Sequence, residues 1–194
     1  CPIMQEMLLP KKELRTFKRY THGGESLKKR RKIKRPLLPG CTTHVVLKSS
    51  RAKGGLSFYR HKRMIHLLLK ERAKKSFVEI QDYVNMGNHL HLKVRFKNPE
   101  GFRAFLRTFT GLLARKLTNA HRGSGLKHKF WDGLAYTRVL LTRFEELGLK
   151  IYFSGNQIER DLGYKERIEY LHQWNKYLYK LKSTRASPIA SPRF

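Results

Sequence analysis

Cysteine is almost missing from this sequence: Cys1 and Cys41 are the two present. Their separation offers no metal-ligand spacing and no disulfide framework, which suits a reducing cytoplasm. Long apolar runs are missing too; none approaches the roughly 20 residues that a membrane span needs. No secretory leader is visible. Acid is scarce, with 14 Asp and Glu against 43 Lys and Arg, for a formal net charge of +29. Such a chain repels its own copies and attracts polyanions. Nucleic acid is the expected partner, because each neutralised phosphate releases counterions. An anionic membrane surface would instead call for an amphipathic anchor or a lipidation motif, and neither is present.

What remains is enough for one domain with tails: 194 residues, of which 40% are hydrophobic. Residues 1–40 read as a basic arm. Lys28, Lys29, Arg30, Arg31, Lys32, Lys34 and Arg35 form a charge run that stays solvated or lies on phosphates, and Pro36, Pro39 and Gly40 end it. Residues 41–182 read as the folded domain, and 183–194 as a tail. Within the domain, 42–49 is β-branched and predicts a strand. A helix follows over 57–75, with Phe58, Ile65, Leu68 and Leu69 on one stripe. Residues 76–84 and 89–96 alternate like a pair of strands, joined by a tight link. Asn98-Pro99 places an N-cap before a helix that runs to about residue 120. A Gly- and Lys-rich loop over 121–129 leads to a strand over 134–141. Thr142-Arg143-Phe144-Glu145 is a capping-box pattern. The helix that it opens is expected to turn Phe144, Leu147, Ile151 and Ile158 inward, weakened by Gly148 and Gly155. A last helix spans about 164–181.

Strand, helix, strand, strand, helix, strand is the α+β ferredoxin-like order of RRM and HUH proteins. It predicts one antiparallel sheet with helices on one face and the other face open to a ligand. On the strand 89–96, Leu90, Leu92, Val94 and Phe96 point one way, while His89, His91, Lys93 and Arg95 point the other. Two imidazoles two residues apart on one face can converge on a metal ion, and neighbouring cations favour the neutral form that binds it. The pair equally describes a plain polar strand face. Tyr152 and Asn156, four apart, share a helix face. Spacing alone does not single out Tyr152 among nine tyrosines.

A resemblance joins these pieces. The run Asp82-Tyr83-Val84-Asn85-Met86-Gly87-Asn88-His89-Leu90-His91-Leu92 resembles the Tyr-Val-x-Met-Pro-Asn-His-x-His signature of single-tyrosine HUH transposases. His44-Val45-Val46-Leu47 resembles their first strand, and Phe130-Trp131-Asp132 their aromatic segment before the fourth. Ile151-Tyr152-Phe153-Ser154-Gly155-Asn156-Gln157 is similar to their catalytic-tyrosine helix. The basic run before Arg35-Pro36-Leu37 is similar to the arm of the REP-associated branch. The match covers roughly residues 28–165. It departs at Gly87, where the family has Pro and where the change is expected to matter little. It departs again at Gly155 and Gln157.

The resemblance implies His89 and His91 as metal ligands, Asn156 as the third ligand and Tyr152 as the nucleophile. It implies Mg2+ or Mn2+, although imidazole also suits Zn, Ni or Cu. It implies hairpin-bearing single-stranded DNA as substrate, cut with a 5′-phosphotyrosine intermediate, in a bacterial protein of the nucleoid, monomeric or homodimeric. Lys93, Arg95, Arg122, Lys127, Lys129 and the arm would meet the backbone. A nucleic-acid binder without catalysis, whether RNA-binding or a degenerate transposase, fits the charge and fold pattern as well. A replication-initiator relative would share the chemistry.

Overall fold

The computed structural model describes residues 20–24, 34–120 and 129–184. Its strands are β1 (Thr21–His22), β2 (Thr43–Lys48), β3 (Val78–Asn85), β4 (His89–Phe96) and β5 (Tyr136–Val139). Its helices are α1 (Lys62–Lys75), α2 (Pro99–Thr118), α3 (Arg143–Asp161) and α4 (Tyr164–Thr184). The strands form one antiparallel sheet in the order β1-β5-β2-β4-β3. The four strands that the sequence pattern predicts are therefore in ferredoxin-like order. The fifth, β1, comes from within the segment read as arm and lies against β5.

Register sorts the side chains between the two faces. Val45 lies opposite Leu92, and Leu47 opposite Leu90. With Val94 and Phe96 they are buried against Ile65, Leu68 and Leu69 of α1 and Phe102, Phe105, Phe109 and Leu113 of α2. His44 lies opposite Lys93, Val46 opposite His91, and Lys48 opposite His89, so these point to the other face. The caps read from sequence are in place. The Asn98 side chain accepts from the Glu100 N–H at 2.9 Å. Thr142 and Glu145 close a reciprocal capping box.

Three expectations need correction. α1 starts at Lys62 rather than near residue 57. The Phe58 N–H donates to Gly87 O at 2.8 Å, which fixes Phe58 as a buried plug outside the helix. Gly87 matters more than expected. Its φ is +84°, and an added Cβ would come within 2.7 Å of the Tyr59 ring; proline, locked near −65°, cannot take this place.

The third correction concerns α3. It is not carried by a Phe144 stripe, since Phe144 is 48% exposed. Instead α3 lies between two surfaces. Leu149, Tyr152 and Phe153 pack with Val84 and Leu140 over the histidine-bearing face, so that face is covered here rather than open. Ile151 and Leu147 pack on the other side against Leu171 and Trp174 of α4. Gly155 allows that approach: a Cβ there would lie 3.3 Å from the Leu171 side chain. Its propensity cost, about 1 kcal/mol, is offset by the close helix contact.

Candidate active site

The alternation of β2 and β4 puts three histidines side by side. The rings of His89 and His91 lie 4.8 Å apart. His44 stacks on His91 at 5.3 Å, with Nε2 of His44 3.1 Å from Nδ1 of His91. Above them the Tyr152 ring meets His91 edge-on at 5.3 Å and His44 at 6.3 Å. One turn further along α3, Asn156 is buried at 1% exposure, its Nδ2 without a hydrogen-bond partner. Of the residues chosen from the sequence, His89, His91 and Tyr152 come into contact, and Asn156 is buried one turn beyond Tyr152 on α3.

Burial dominates the electrostatics. It pushes the His44 imidazole down to about 3, helped by Arg138. It pushes His89 down to about 4, with Lys48 adding. His91 falls well below its ordinary value through burial, then through His44 and His89. The neighbouring cations invoked from sequence are thus secondary to desolvation. All three rings are neutral near pH 7. The unfolded chain protonates them near 6.5 and the folded chain does not, so their contribution to stability is complete above pH 6.5. It is lost as pH falls toward 4, by about 1.4 kcal/mol per pH unit per histidine. A thermal melt followed by circular dichroism should show a midpoint that is level above pH 7 and falls steeply from pH 6 to 4. A level midpoint through that window would contradict the burial of the triad.

The donor set fits a metal ion. Both histidines of the pair have Nδ1 engaged, His89 with Asn88 Oδ1 at 2.6 Å and His91 with His44. That leaves Nε2 of each as the ligating atom, and Nε2 of His91 is buried without a partner. Oriented imidazoles of this kind are typical of metal sites. No group of three or more His, Cys, Asp or Glu side chains is placed to hold a metal among the described residues. The third donor would be the Asn156 amide.

Two residues of the site were missed from sequence. His44 sits in β2, where no neighbouring residue marks it, and only the β2–β4 pairing stacks it on His91. Arg167 reaches in from α4: its guanidinium carbon lies 5.5 Å from the Tyr152 ring centroid. It pairs with Glu159 of α3. Burial pushes the Tyr152 hydroxyl up, while the Asn156 side chain and then Arg167 pull against it.

The basic candidates scatter. Lys93 is half-buried on the histidine face, opposite His44 and Asp82. Arg95, on the same face, reaches Thr42 Oγ1 at 3.5 Å. Thr42 in turn donates to Glu146 at 2.6 Å, and Arg138 pairs with Glu145 at 2.7 Å. Arg95 is therefore part of the cluster that pins the start of α3 to the sheet. Arg35 is not brought to this face. Its Nη1 donates to Thr137 at 2.9 Å, and Thr137 lies opposite Val45, on the side covered by α1 and α2. There Arg35 lines a cavity of about 410 Å3 with Arg103, Arg107 and Trp131. Lys34 and Lys129 are exposed. Lys28, Lys29, Arg30, Arg31, Lys32, Arg122 and Lys127 lie outside the described residues.

Fold and site together define a ferredoxin-like domain that carries a His-x-His strand beneath a tyrosine-bearing helix. Among solved structures, the REP-associated tyrosine transposase bound to a REP hairpin shares this fold, with 14% sequence identity and a TM-score of 0.50. The match covers 68% of this chain and 74% of that one. A crystal structure of a presumed transposase from Deinococcus radiodurans also matches, at 14% identity and a TM-score of 0.42, over 65% of this chain and 98% of that one. No family model matches the sequence, and no curated protein does. Among the described residues no helix is long and apolar enough to cross a membrane.

Proposed function

We propose that this protein is a metal-dependent single-stranded DNA endonuclease and strand transferase that works through a covalent tyrosine intermediate. The observation that carries the reading is the packing of Tyr152 on His91, with Asn156 one turn away and the His91 Nε2 unpartnered. A tyrosine buried merely as core would not need three neutral histidines beneath it.

His89, His91 and Asn156 would hold one divalent cation, Mg2+ or Mn2+, which supplies charge stabilisation at a phosphate oxygen. The chain's own groups do the rest. Tyr152 supplies the nucleophilic oxygen. Its phenolic proton leaves on attack, the Oη–P bond forms and the P–O3′ bond breaks. The 3′-oxygen departs and takes up a proton, and the DNA 5′-end stays on the tyrosine. With His91 protonated at Nδ1 and His44 as the acceptor, the Nε2 of His91 would be left bare for the ion. The phosphoester bond is exchanged rather than hydrolysed, so rejoining needs no nucleotide cofactor.

The charge, and the hairpin bound to one structural neighbour, support single-stranded DNA with a hairpin as the substrate class. Labelled single strands with a flanking hairpin, incubated with the protein and Mn2+, should give a covalent protein–DNA band that resists denaturant. No band with any such strand, in the presence of tight binding, would favour the rival reading of a non-catalytic nucleic-acid binder.

Binding should lean on the arm. Deleting residues 1–35 would also remove β1 and the Arg35–Thr137 bond, so replacing Lys28, Lys29, Arg30, Arg31 and Lys32 by Gln is the cleaner change. If all five cations meet phosphates of a single strand, the slope of log K against log salt should flatten by up to about 3.5. A slope equal to that of the wild type would remove the arm from the binding site.

A further inference from the structure

We infer that Arg167 is a further catalytic residue, a second ligand to the scissile phosphate that acts beside Tyr152. The inference rests on the nuclease reading and extends it to a residue in α4.

Arg167 lies in the first turn of α4 and is 7% exposed. A guanidinium carries five N–H donors in a fixed fork. Nη1 is taken by Glu159. Nε and Nη2 are buried and have no partner at hydrogen-bond distance, although the guanidinium acts on the Tyr152 hydroxyl. A buried cation that holds two donors idle is costly as a purely structural element, and an arriving phosphodiester would satisfy both. A phosphodiester presents two non-bridging oxygens and one negative charge, which matches the edge of a guanidinium. The position is right for that ligand, because the same guanidinium sits over the Tyr152 ring.

Gly155 belongs to this arrangement. A Cβ at that position would lie 3.6 Å from Arg167 Cγ, beside the Leu171 contact. The glycine between Tyr152 and Asn156 thus leaves room for the arginine stem to pass along α3 to the tyrosine. In the step itself Tyr152 Oη bonds to phosphorus as the P–O3′ bond breaks. Negative charge gathers on the non-bridging oxygens, and Arg167 Nε and Nη2 donate to them. Glu159 takes up only Nη1 and leaves Nε and Nη2 to the phosphate.

Single-turnover adduct formation on a hairpin-flanked single strand with Mn2+ tests this, with equilibrium binding of the same strand measured in parallel. Arg167→Ala should slow adduct formation by about 100-fold and leave binding almost unchanged. Added guanidinium ion should restore at least about tenfold of the loss in Arg167→Ala and nothing in the wild type. Arg167→Lys should retain an intermediate rate, since one charge remains without the fork. Glu159→Gln removes the same ion pair and separates the roles: it should keep most of the rate, whereas a merely structural pair would lose as much as Arg167→Ala. Arg167→Ala forming adduct at the wild-type rate, or a loss that guanidinium leaves untouched and Glu159→Gln reproduces, would overturn the inference alone. A wild-type protein that forms no adduct overturns the nuclease reading, and this inference with it.

Discussion

Tyr152→Phe should form no covalent protein–DNA adduct, a fall of more than about 10^4-fold, while still binding the same single strand. The substitution removes one oxygen and keeps the ring. The ring packs edge-on to His91 and His44 and beneath Arg167, so helix and sheet should stay in register and the thermal midpoint should move little. The nucleophile is gone, and no other described tyrosine ring lies against both His44 and His91: Tyr136, which touches His44 at 6.2 Å, comes from β5. Denaturing gels with end-labelled DNA read the result. Adduct persisting in Tyr152→Phe would assign the chemistry to a different tyrosine.

Loss of either histidine of the pair should be nearly as severe. His89→Ala and His91→Gln should each weaken Mn2+ binding by more than about 100-fold, since residues one shell further out typically cost 10–100-fold. Cleavage should fall with the metal affinity. The two substitutions differ in their structural burden. His89 is half-buried, so Ala there opens little. His91 is 3% exposed between His44, His89 and Tyr152, so Gln is the gentler change. Titration calorimetry or the electron spin resonance of free Mn2+ gives the affinity directly. Wild-type affinity in both variants would place the ion elsewhere.

Sequence alone went far where the determinants are local. Asn98-Pro99 and Thr142-Arg143-Phe144-Glu145 are caps made by neighbouring residues, and both form as read. The alternation of His89-Leu90-His91-Leu92 fixes which side chains share a face, and the sheet keeps it. What failed depends on distant partners. A single apolar stripe was expected on α3, but the helix is wedged between the sheet and α4 and has two buried sides. Tyr152 faces the sheet as its spacing with Asn156 suggested, whereas Phe144 is exposed. Arg35 looked like the end of a solvated run, yet it bonds to Thr137, 102 residues away. His44 and Arg167 carry no local signal, since only the β2–β4 register and the closure of α4 onto Gly155 bring them to Tyr152 and His91.

Peptide mapping of the covalent product tests the central claim most directly. After reaction with a hairpin-flanked single strand and Mn2+, the adduct is digested with protease and nuclease, and the nucleotide-bearing peptide is sequenced by mass spectrometry. The expected outcome is a single modified residue, Tyr152, linked through its hydroxyl to a 5′-phosphate. Modification of any other residue, or cleaved DNA with no protein attached, would contradict the account.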